Sequence, residues 1–144
     1  MTQILISGHG HFASGMLSAA ALIVGQSAEV RAIDFNDGPE RLKRDMTETL
    51  KGLSNGQGII VFTDLLGATP FQTAVVASRE ITEKVLVVGG ANLSMILAAA
   101  INRDKPVEET LNLALNEGKQ FIDYYRANNR QDSIDQEQTE EEGI

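Results

Sequence analysis

The sequence predicts a doubly wound α/β domain with a mainly parallel sheet and helices on both faces. Four short apolar runs alternate with segments of helical periodicity, and Gly-rich links separate them, an alternation typical of βαβ units. The first and third runs, Ile4–Ile6 and Ile59–Thr63, are continuously apolar, as expected of central strands that helices cover on both faces. Because crossovers between parallel strands are right-handed, we expect the strand order 2-1-3-4.

In the first half of the chain, each predicted element ends at a breaker. Apolar residues recur at helical spacing from Phe12 to Val24, and Gly25-Gln26-Ser27 interrupts the pattern. Val30–Phe35 predicts a second strand, which we place nearer an edge because its alternation is weaker. A helix then begins near Pro39, where the missing N–H of proline costs nothing. The buried stripe of this helix is predicted to be Leu42, Met46, Thr49, Leu50 and Leu53.

The second half continues the alternation. After the third strand we predict a helix over Thr69–Ser78, with Thr69 as its N-cap and Pro70 at the first helical position. Lys84–Val88 predicts the fourth strand. Asn92–Ile101 predicts a helix that is apolar on nearly all sides, so either the core or a subunit interface must cover more than one of its faces.

The C-terminal part consists of one predicted helix and an acidic tail. Pro106 begins the helix, and Phe121–Tyr125 either prolongs it or forms a short strand, a choice that the pattern leaves open. Residues 1–127 are predicted to form the domain. Residues 128–144 hold one arginine against six acidic side chains and few apolar residues, so we expect this tail to be disordered.

Composition excludes several classes of function. The formal net charge of −8 argues against a nucleic-acid surface, which needs clustered Lys and Arg. Cysteine is absent, which excludes disulfides, thiolate metal sites and cysteine nucleophiles. No apolar run approaches the ~20 residues that span a bilayer, and no leader pattern precedes the first strand, so we expect a cytoplasmic protein.

The strand-to-helix turn around His9 is the candidate functional site. His9 lies between Gly8 and Gly10, which free the backbone for a sharp turn beside the N-terminus of the following helix. Asp64 ends the third strand, which neighbours the first in the predicted order, so both side chains meet at the carboxyl edge of the sheet. A solvated loop histidine and a turn-capping aspartate are the structural alternatives. We interpret His11 as a surface or rim residue.

The chemistry of this pair follows from its residue types. A histidine beside an aspartate, without a Ser or Cys elbow, favours the imidazole itself as the nucleophile. A carboxylate that accepts the Nδ1–H leaves Nε2 unprotonated, and it stabilises the ring that becomes positively charged after attack. Amides around Gly10 and at the start of the helix near Thr69 could hold the oxygens of a phosphoryl group. Neither a metal-ligand spacing nor a nucleotide-binding glycine motif occurs, so we expect no metal and no cofactor.

Four stretches of the sequence resemble one protein family. They are Ile4–Gly10 with His9, Ile33-Asp34-Phe35, the Asp-x-x-Gly-x-Thr-Pro-Phe run within Val61–Phe71, and Val87–Asn92. Over roughly residues 2 to 126 the chain is similar to the enzyme IIA domain of the mannose family of the bacterial sugar phosphotransferase system. The resemblance implies a cytoplasmic phosphocarrier, in which His9 is the phosphorylated residue and Asp64 its partner carboxylate.

The resemblance also implies partners. The phosphoryl group would come from the histidine phosphocarrier protein HPr and pass to an enzyme IIB component, which phosphorylates sugar entering through the membrane permease IIC/IID. We expect IIB to be a separate protein. Family members are dimers, often with an exchanged C-terminal strand, which would make Phe121–Tyr125 a fifth, antiparallel strand of a homodimer. A docking rim for partners is expected around the site, although an ordinary core role explains the same residues equally well: Phe12, Phe35, Leu65, Leu66 and Phe71.

One departure and three alternatives accompany this resemblance. Many relatives have Ser or Thr where Gly8 stands, so one side-chain contact to the phosphate is missing here. The alternatives are the phosphocarrier subunit of a dihydroxyacetone kinase, a histidine phosphatase, and a non-catalytic flavodoxin-like module. The phosphatase class normally has Arg before its histidine, so Gly8 counts against it. The identity of the sugar depends on the permease and IIB, which this chain does not encode.

Overall fold

The computed structural model describes residues 1–26 and 30–128 of the chain. Its sheet contains the strands β1 (Gln3–His9), β2 (Val30–Phe35), β3 (Ile59–Thr63) and β4 (Val85–Val88). All neighbouring strands are parallel, and their order is β2-β1-β3-β4. The predicted fold class and strand order are therefore confirmed.

Five helices surround the sheet within the described residues: α1 (Phe12–Val24), α2 (Pro39–Leu53), α3 (Thr69–Ser78), α4 (Leu93–Ile101) and α5 (Val107–Gln120). Alternation along β1 sends Ile4 and Ile6 into a core shared with α1, α4 and α5, while Leu5 enters a second core with α2 and α3. Helices thus cover both faces of the sheet, which is the doubly wound arrangement.

Burial separates the central strands from the edge strands. Every residue of β3 is buried, and so is every residue of β1 except His9. Most residues of β2 and β4 are only half-buried, so the prediction that the second strand lies nearer an edge is confirmed. On α2, the predicted stripe is buried except for Thr49, which is half-buried.

The apolar helix α4 is covered from within the chain. It packs against α5 and α1 and buries Met95, Ile96, Ala98 and Ala99. Gly118 of α5 lies at the crossing, where an added Cβ would stand 2.3 Å from Cγ of Met95. Glycine lowers the helix propensity of α5, but it lets the two helices approach closely. The core therefore covers α4, although Ile101 at its end stays 67% exposed.

Several element boundaries differ from the sequence predictions. The helix α4 begins at Leu93, and Asn92 is its N-cap. The fourth strand begins at Val85 rather than Lys84. The N-cap of α3 is Ala68 rather than Thr69, because the first helical hydrogen bond runs from the Gln72 amide to the Ala68 carbonyl at 2.9 Å. Pro70 consequently occupies the second helical position, where its missing N–H is equally harmless.

The C-terminal segment follows neither of the two predicted conformations. The helix α5 ends at Gln120, and residues 121–126 have no regular structure in this chain and exposed side chains. The predicted disordered tail lies outside the described residues from position 129 onward. Within the described residues, no helix is long and apolar enough to cross a membrane.

Candidate active site

His9 and Asp64 meet at the carboxyl edge of the sheet, as predicted. Oδ2 of Asp64 lies 2.8 Å from the His9 ring Nδ1 and accepts a 2.8 Å hydrogen bond from the His9 backbone amide. Oδ1 of the same carboxylate accepts from the Leu65 amide at 2.9 Å. The imidazole is 46% exposed, whereas the Asp64 side chain is only 14% exposed. The sheet thus holds the carboxylate inside and presents the imidazole to solvent.

The charge state of Asp64 sets the tautomer of His9. Burial opposes ionisation of this carboxyl, but the hydrogen bonds from His9 and Leu65 outweigh burial and lower the pKa of Asp64 below its ordinary value. An ionised carboxylate only accepts hydrogen bonds, so Nδ1 carries the ring hydrogen when His9 is neutral. The lone pair then resides on Nε2, the nitrogen that Asp64 does not contact.

The end of β2 supports the His9 ring from another side. The ring of Phe35 stands edge-on to the imidazole, with 5.5 Å between centroids and 63° between planes. The Phe35 carbonyl accepts from the Gly10 amide at 2.9 Å. Gly10 has φ +58°, a left-handed conformation that favours glycine, so the chain turns sharply after His9. Phe35, predicted as part of a docking rim, is therefore in direct contact with the candidate nucleophile.

Gly8 makes room for the two side chains beneath the imidazole. A Cβ added at Gly8 would stand 2.5 Å from Cδ1 of Phe12 and 3.0 Å from Cγ of Asp64. Both separations are shorter than ordinary carbon contacts. This position is thus restricted to glycine here, since Phe12 occupies the space that a side chain would need.

The loop that carries Asp64 is fixed by the turn after β4. The Gly90 amide donates to the Asp64 carbonyl at 3.1 Å, and the Ala91 amide donates to the Thr63 carbonyl at 3.0 Å. A Cβ at Gly89 would stand 2.4 Å from Cα of Leu66, so the two backbones are in close contact. The absence of a side chain at Gly89 therefore allows the Asp64 loop to pack against the sheet.

Free backbone amides line both helix starts near this edge of the sheet. Gly67 has φ +79° and turns the chain into α3, where Thr69 is exposed. Thr69 also lines a cavity of about 310 Å³ between α2 and α3. Within the described residues, the following amides donate no hydrogen bond: His11, Phe12 and Ala13 at α1, and Leu66, Gly67 and Thr69 at α3. Such groups are suited to binding an anion.

The residues predicted to form the docking rim fall into two groups. Leu65 and Leu66 follow Asp64 directly and are 58% and 77% exposed. Phe12, Phe35 and Phe71 are half-buried, and the first two pack against the hydrophobic cores. Exposed apolar surface next to the imidazole therefore comes mainly from the two leucines.

Sequence reasoning missed a second histidine–carboxylate pair. Nδ1 of His11 lies 3.1 Å from Oδ2 of Asp34, and Ser14 donates to the same carboxylate through its hydroxyl at 2.6 Å and its amide at 2.9 Å. Burial opposes ionisation of Asp34, but the hydrogen bonds from Ser14 and His11 outweigh it and lower the pKa of Asp34. The available signal was the position of Asp34 near the end of the second strand, at the same sheet edge as Asp64.

No metal centre accompanies these pairs: the part of the chain that the structure describes contains no group of three His, Cys, Asp or Glu side chains that could hold a metal ion.

Comparisons with known proteins identify close similarity over most of the chain. The family model described as the PTS system fructose IIA component, where PTS denotes the phosphotransferase system, matches residues 3–114. The mannose-specific EIIAB component of Escherichia coli is 28% identical over 130 residues, which cover 86% of this chain and 39% of the relative. The fructose-specific EIIA component of Bacillus subtilis is 25% identical over 99 residues, 67% of each protein. This chain therefore spans well under half of the mannose-specific relative.

Solved structures agree with these relatives. EIIA from Streptococcus agalactiae superposes with a TM-score of 0.78 at 30% identity, covering 86% of this chain and 97% of the other. The mannose/sorbose specific IIA subunit from Enterococcus faecalis superposes with a TM-score of 0.75 at 25% identity, covering 87% and 95%.

The comparisons confirm the resemblance found in the sequence. They support a phosphocarrier role in the sugar phosphotransferase system, and they do not favour the dihydroxyacetone kinase, phosphatase or non-catalytic alternatives. Because the family model matches residues 3–114 of 144, the chain belongs to the mannose/fructose IIA family of the bacterial phosphotransferase system.

Proposed function

We propose that this chain accepts a phosphoryl group from phospho-HPr on Nε2 of His9 and passes it to an enzyme IIB component. The observation that carries the proposal is the 2.8 Å contact between Nδ1 of His9 and the carboxylate of Asp64. This contact directs the lone pair of a half-exposed imidazole to Nε2, which a nucleophile requires. Family membership supports both HPr and IIB as partners.

Phosphoryl transfer would proceed by in-line displacement at phosphorus. The Nε2 lone pair of His9 attacks the phosphorus of the phosphohistidine donor, an N–P bond forms on His9, and the N–P bond to the donor breaks with its electron pair returning to the donor imidazole. The His9 ring, with hydrogen on Nδ1 and phosphorus on Nε2, gains positive charge. Asp64 stabilises this charge without taking the proton. Transfer to IIB repeats the displacement in the opposite sense, with His9 as the leaving group.

The phosphoryl oxygens would be held by the amides at the two helix starts. The Gly10 amide already donates to the Phe35 carbonyl at 2.9 Å. We therefore propose the free amides of the first turn of α1, directly after Gly10, for one side, and Thr69 with the first turn of α3 for the other. Positive dipole character at both helix N-termini supports this arrangement, because the phosphoryl group carries negative charge. No cofactor or metal is required for these steps.

Partner docking is proposed for the apolar surface beside the imidazole. Leu65 and Leu66 are exposed next to Asp64 and would contact HPr and IIB in turn, with Phe12, Phe35 and Phe71 contributing at the rim. The acidic balance of the chain supports partners with a basic surface.

A homodimer with exchanged C-terminal segments is the proposed assembly. Two observations support it: Phe121, Ile122, Tyr124 and Tyr125 expose between 55% and 72% of their surface, and β4 is an edge strand of the described sheet with one side unpaired. Light scattering of the full chain would give the dimer mass, and removal of the segment after Gln120 would give a monomer. We further propose that the dimer acts in the cytoplasm and serves the membrane permease IIC/IID only through IIB.

Intact-mass analysis tests the proposed function. After incubation with phosphoenolpyruvate, enzyme I and HPr under alkaline conditions, the wild type should gain one phosphoryl group, about 80 Da, and His9→Ala should gain none. His11→Ala is the matched control, because it removes an imidazole two residues away and should still be phosphorylated. A wild type without the added mass, or a phosphorylated His9→Ala, would contradict the proposal.

A further inference from the structure

Asp34 holds the beginning of α1 from a neighbouring strand. Its Oδ1 accepts from the Ser14 amide at 2.9 Å, and its Oδ2 accepts from the Ser14 hydroxyl at 2.6 Å and faces His11 Nδ1 at 3.1 Å. Its side chain is 19% exposed, whereas the His11 side chain is 81% exposed, so the carboxylate lies deeper than the imidazole that it faces. Ser14 is the third residue of α1, the position whose amide a capping side chain normally satisfies.

The first turn of α1 has no cap from its own sequence. The N-cap residue is His11, whose side chain makes no capping hydrogen bond. Asp34, near the end of β2, caps the helix instead through its hydrogen bonds with Ser14, and it also contacts the ring of the N-cap residue His11. Without Asp34, the first turn would lose its only side-chain cap in the described structure and would fray.

The turn that carries His9 is held by two carboxylates, one on each side of Gly10. Asp64 binds the amide and the ring of His9, before Gly10. Asp34 binds His11 and Ser14, after Gly10. Between the two anchors, Gly10 has a left-handed backbone and one hydrogen bond, from its amide to the Phe35 carbonyl. Each carboxylate therefore anchors one half of this turn.

We propose that Asp34 is a positioning residue for phosphoryl transfer: it holds the first turn of α1 so that the free amides of that turn and the imidazole of His9 face the same phosphoryl group. This inference rests on the proposed function. It assigns Asp34 no contact with the reacting atoms, since its effect runs through His11 and Ser14. The amides that it orders are those of His11, Phe12 and Ala13, which donate to no atom of the described residues.

Four variants and one control test this role. Asp34→Ala removes all three contacts, whereas Asp34→Asn keeps an acceptor oxygen for the Ser14 amide. Ser14→Ala removes the hydroxyl contact to Asp34, together with a longer one of 3.4 Å to the His11 carbonyl, and keeps the amide contact. It keeps the inference testable where Asp34→Ala fails to fold. His11→Gln removes only the ring contact. The control is Asp37→Asn, which loses the same charge three residues away at a side chain that is 69% exposed and pairs with Arg41.

The measurements separate positioning from folding and from docking. Single-turnover transfer from phospho-HPr over a range of donor concentrations gives the rate at saturation and the KM separately. Hydrogen exchange of the Gly15 amide, which donates to the His11 carbonyl at 2.9 Å, reports the order of the first turn without any phosphoryl donor. The ¹⁵N shifts of the His9 ring report whether its tautomer is intact.

The expected result is a loss of rate without a loss of affinity. Asp34→Ala should lower the saturating rate about tenfold, because misplaced amides slow the transfer step itself. It should change the KM for HPr by less than about twofold, because the association with HPr is not affected. First-turn exchange should rise, and the His9 tautomer should be unchanged. Asp34→Asn should restore most of the rate, Ser14→Ala and His11→Gln should each lose less than Asp34→Ala, and Asp37→Asn should match the wild type.

Several outcomes would overturn the inference. If the wild type is phosphorylated on His9 and Asp34→Ala transfers the phosphoryl group equally fast, the role of Asp34 is refuted and the proposed function is intact. An effect of Asp34→Ala on KM alone would mean that Asp34 acts in docking. If Asp34→Asn transfers as slowly as Asp34→Ala, the charge of Asp34 matters rather than its hydrogen bonds to α1. A wild type that gains no phosphoryl group would refute the proposed function and the role in transfer together, even where first-turn exchange rises.

Discussion

Replacing Asp64 by Asn tests the electrostatic role of the carboxylate with little change of shape. In the wild type, one carboxylate oxygen serves the His9 amide and ring, and the other serves the Leu65 amide. The amide of Asn has one acceptor oxygen, so one of these two sides must face an NH₂ group. If the oxygen stays with His9, the Leu65 bond is lost and the imidazole keeps a neutral partner.

The magnitude follows from those lost interactions. A hydrogen bond to a charged group contributes about 1.5–3 kcal/mol, compared with about 1 kcal/mol for a neutral pair. The ring of His9 becomes more positive as the N–P bond forms, so the difference grows toward the transition state. We expect a loss of about 2 kcal/mol, which corresponds to a rate about thirtyfold lower. The fold should survive, because a cost of this size is less than the 5–15 kcal/mol stability of a typical domain.

The assay is single-turnover transfer from phospho-HPr, with thermal unfolding recorded on the same samples. Asp37→Asn is again the charge-matched control, since that exposed carboxylate makes no contact with His9. A transfer rate for Asp64→Asn within about twofold of the wild type, a difference of only about 0.4 kcal/mol, would refute the reasoning. A loss of rate shared equally by Asp37→Asn would trace the effect to overall charge.

Four further predictions concern stability. Gly8→Ser should place its Cβ against Phe12 and lower the melting temperature by several degrees, and adding Phe12→Ala should recover part of that loss in a double-mutant cycle. Glu83 accepts hydrogen bonds from the Gly56 and Gly58 amides at 3.1 and 2.8 Å. Burial opposes its ionisation, but the hydrogen bonds, led by that from the Ser54 hydroxyl, lower the pKa of Glu83 from its ordinary value of 4.5. The stabilisation by ionised Glu83 is therefore complete above pH 4.5, and it is lost as pH falls through the lower pKa that Glu83 has in the folded protein. Glu83→Gln should lower the free energy of unfolding by about 1–2 kcal/mol at neutral pH. Urea unfolding should show that this difference between the wild type and the variant disappears in acid. Gly118→Ala should place a methyl group against Met95 and lower the midpoint of urea unfolding. The control is Gly52→Ala on α2, where an added Cβ meets no atom within 4 Å, and this variant should not lower the midpoint. Removal of the residues after Asn128 should leave the melting temperature unchanged, and a truncated protein that melts much earlier would show that the tail contributes to the fold.

The two histidine–carboxylate pairs arise from one property of the topology. In the order β2-β1-β3-β4, the strand that bears His9 is flanked by the strands that bring Asp34 and Asp64. All three strands are parallel, so their carboxyl ends meet at one edge of the sheet. Each flanking carboxylate receives one imidazole and one backbone amide of the segment that leaves β1. A parallel sheet thus supplies both halves of the His9 turn with an anchor.

The sequence by itself determined the fold class and the main pair of the site. Continuous apolar runs in β1 and β3 marked the central strands, and turn residues marked their ends, because burial on both faces leaves a local signal. His9 and Asp64 could then be paired, since the topological rules for parallel strands are general. Residue types indicated the chemistry, because a histidine next to an aspartate, without a Ser or Cys elbow, favours the imidazole itself as the nucleophile.

Only the tertiary structure decided which neighbours support the site. The His11–Asp34 and Ser14–Asp34 contacts join residues 23 and 20 positions apart. No periodicity of the sequence records a hydrogen bond between the end of a strand and the start of the helix before it. The restriction of Gly8 follows from the place that the Phe12 ring takes, and that place depends on how α1 packs on the sheet. The N-cap of α3 is Ala68 rather than the predicted Thr69 for a similar reason. The path of the backbone after Gly67 decides where the helix begins, and it overrides the preference of Thr for the N-cap position.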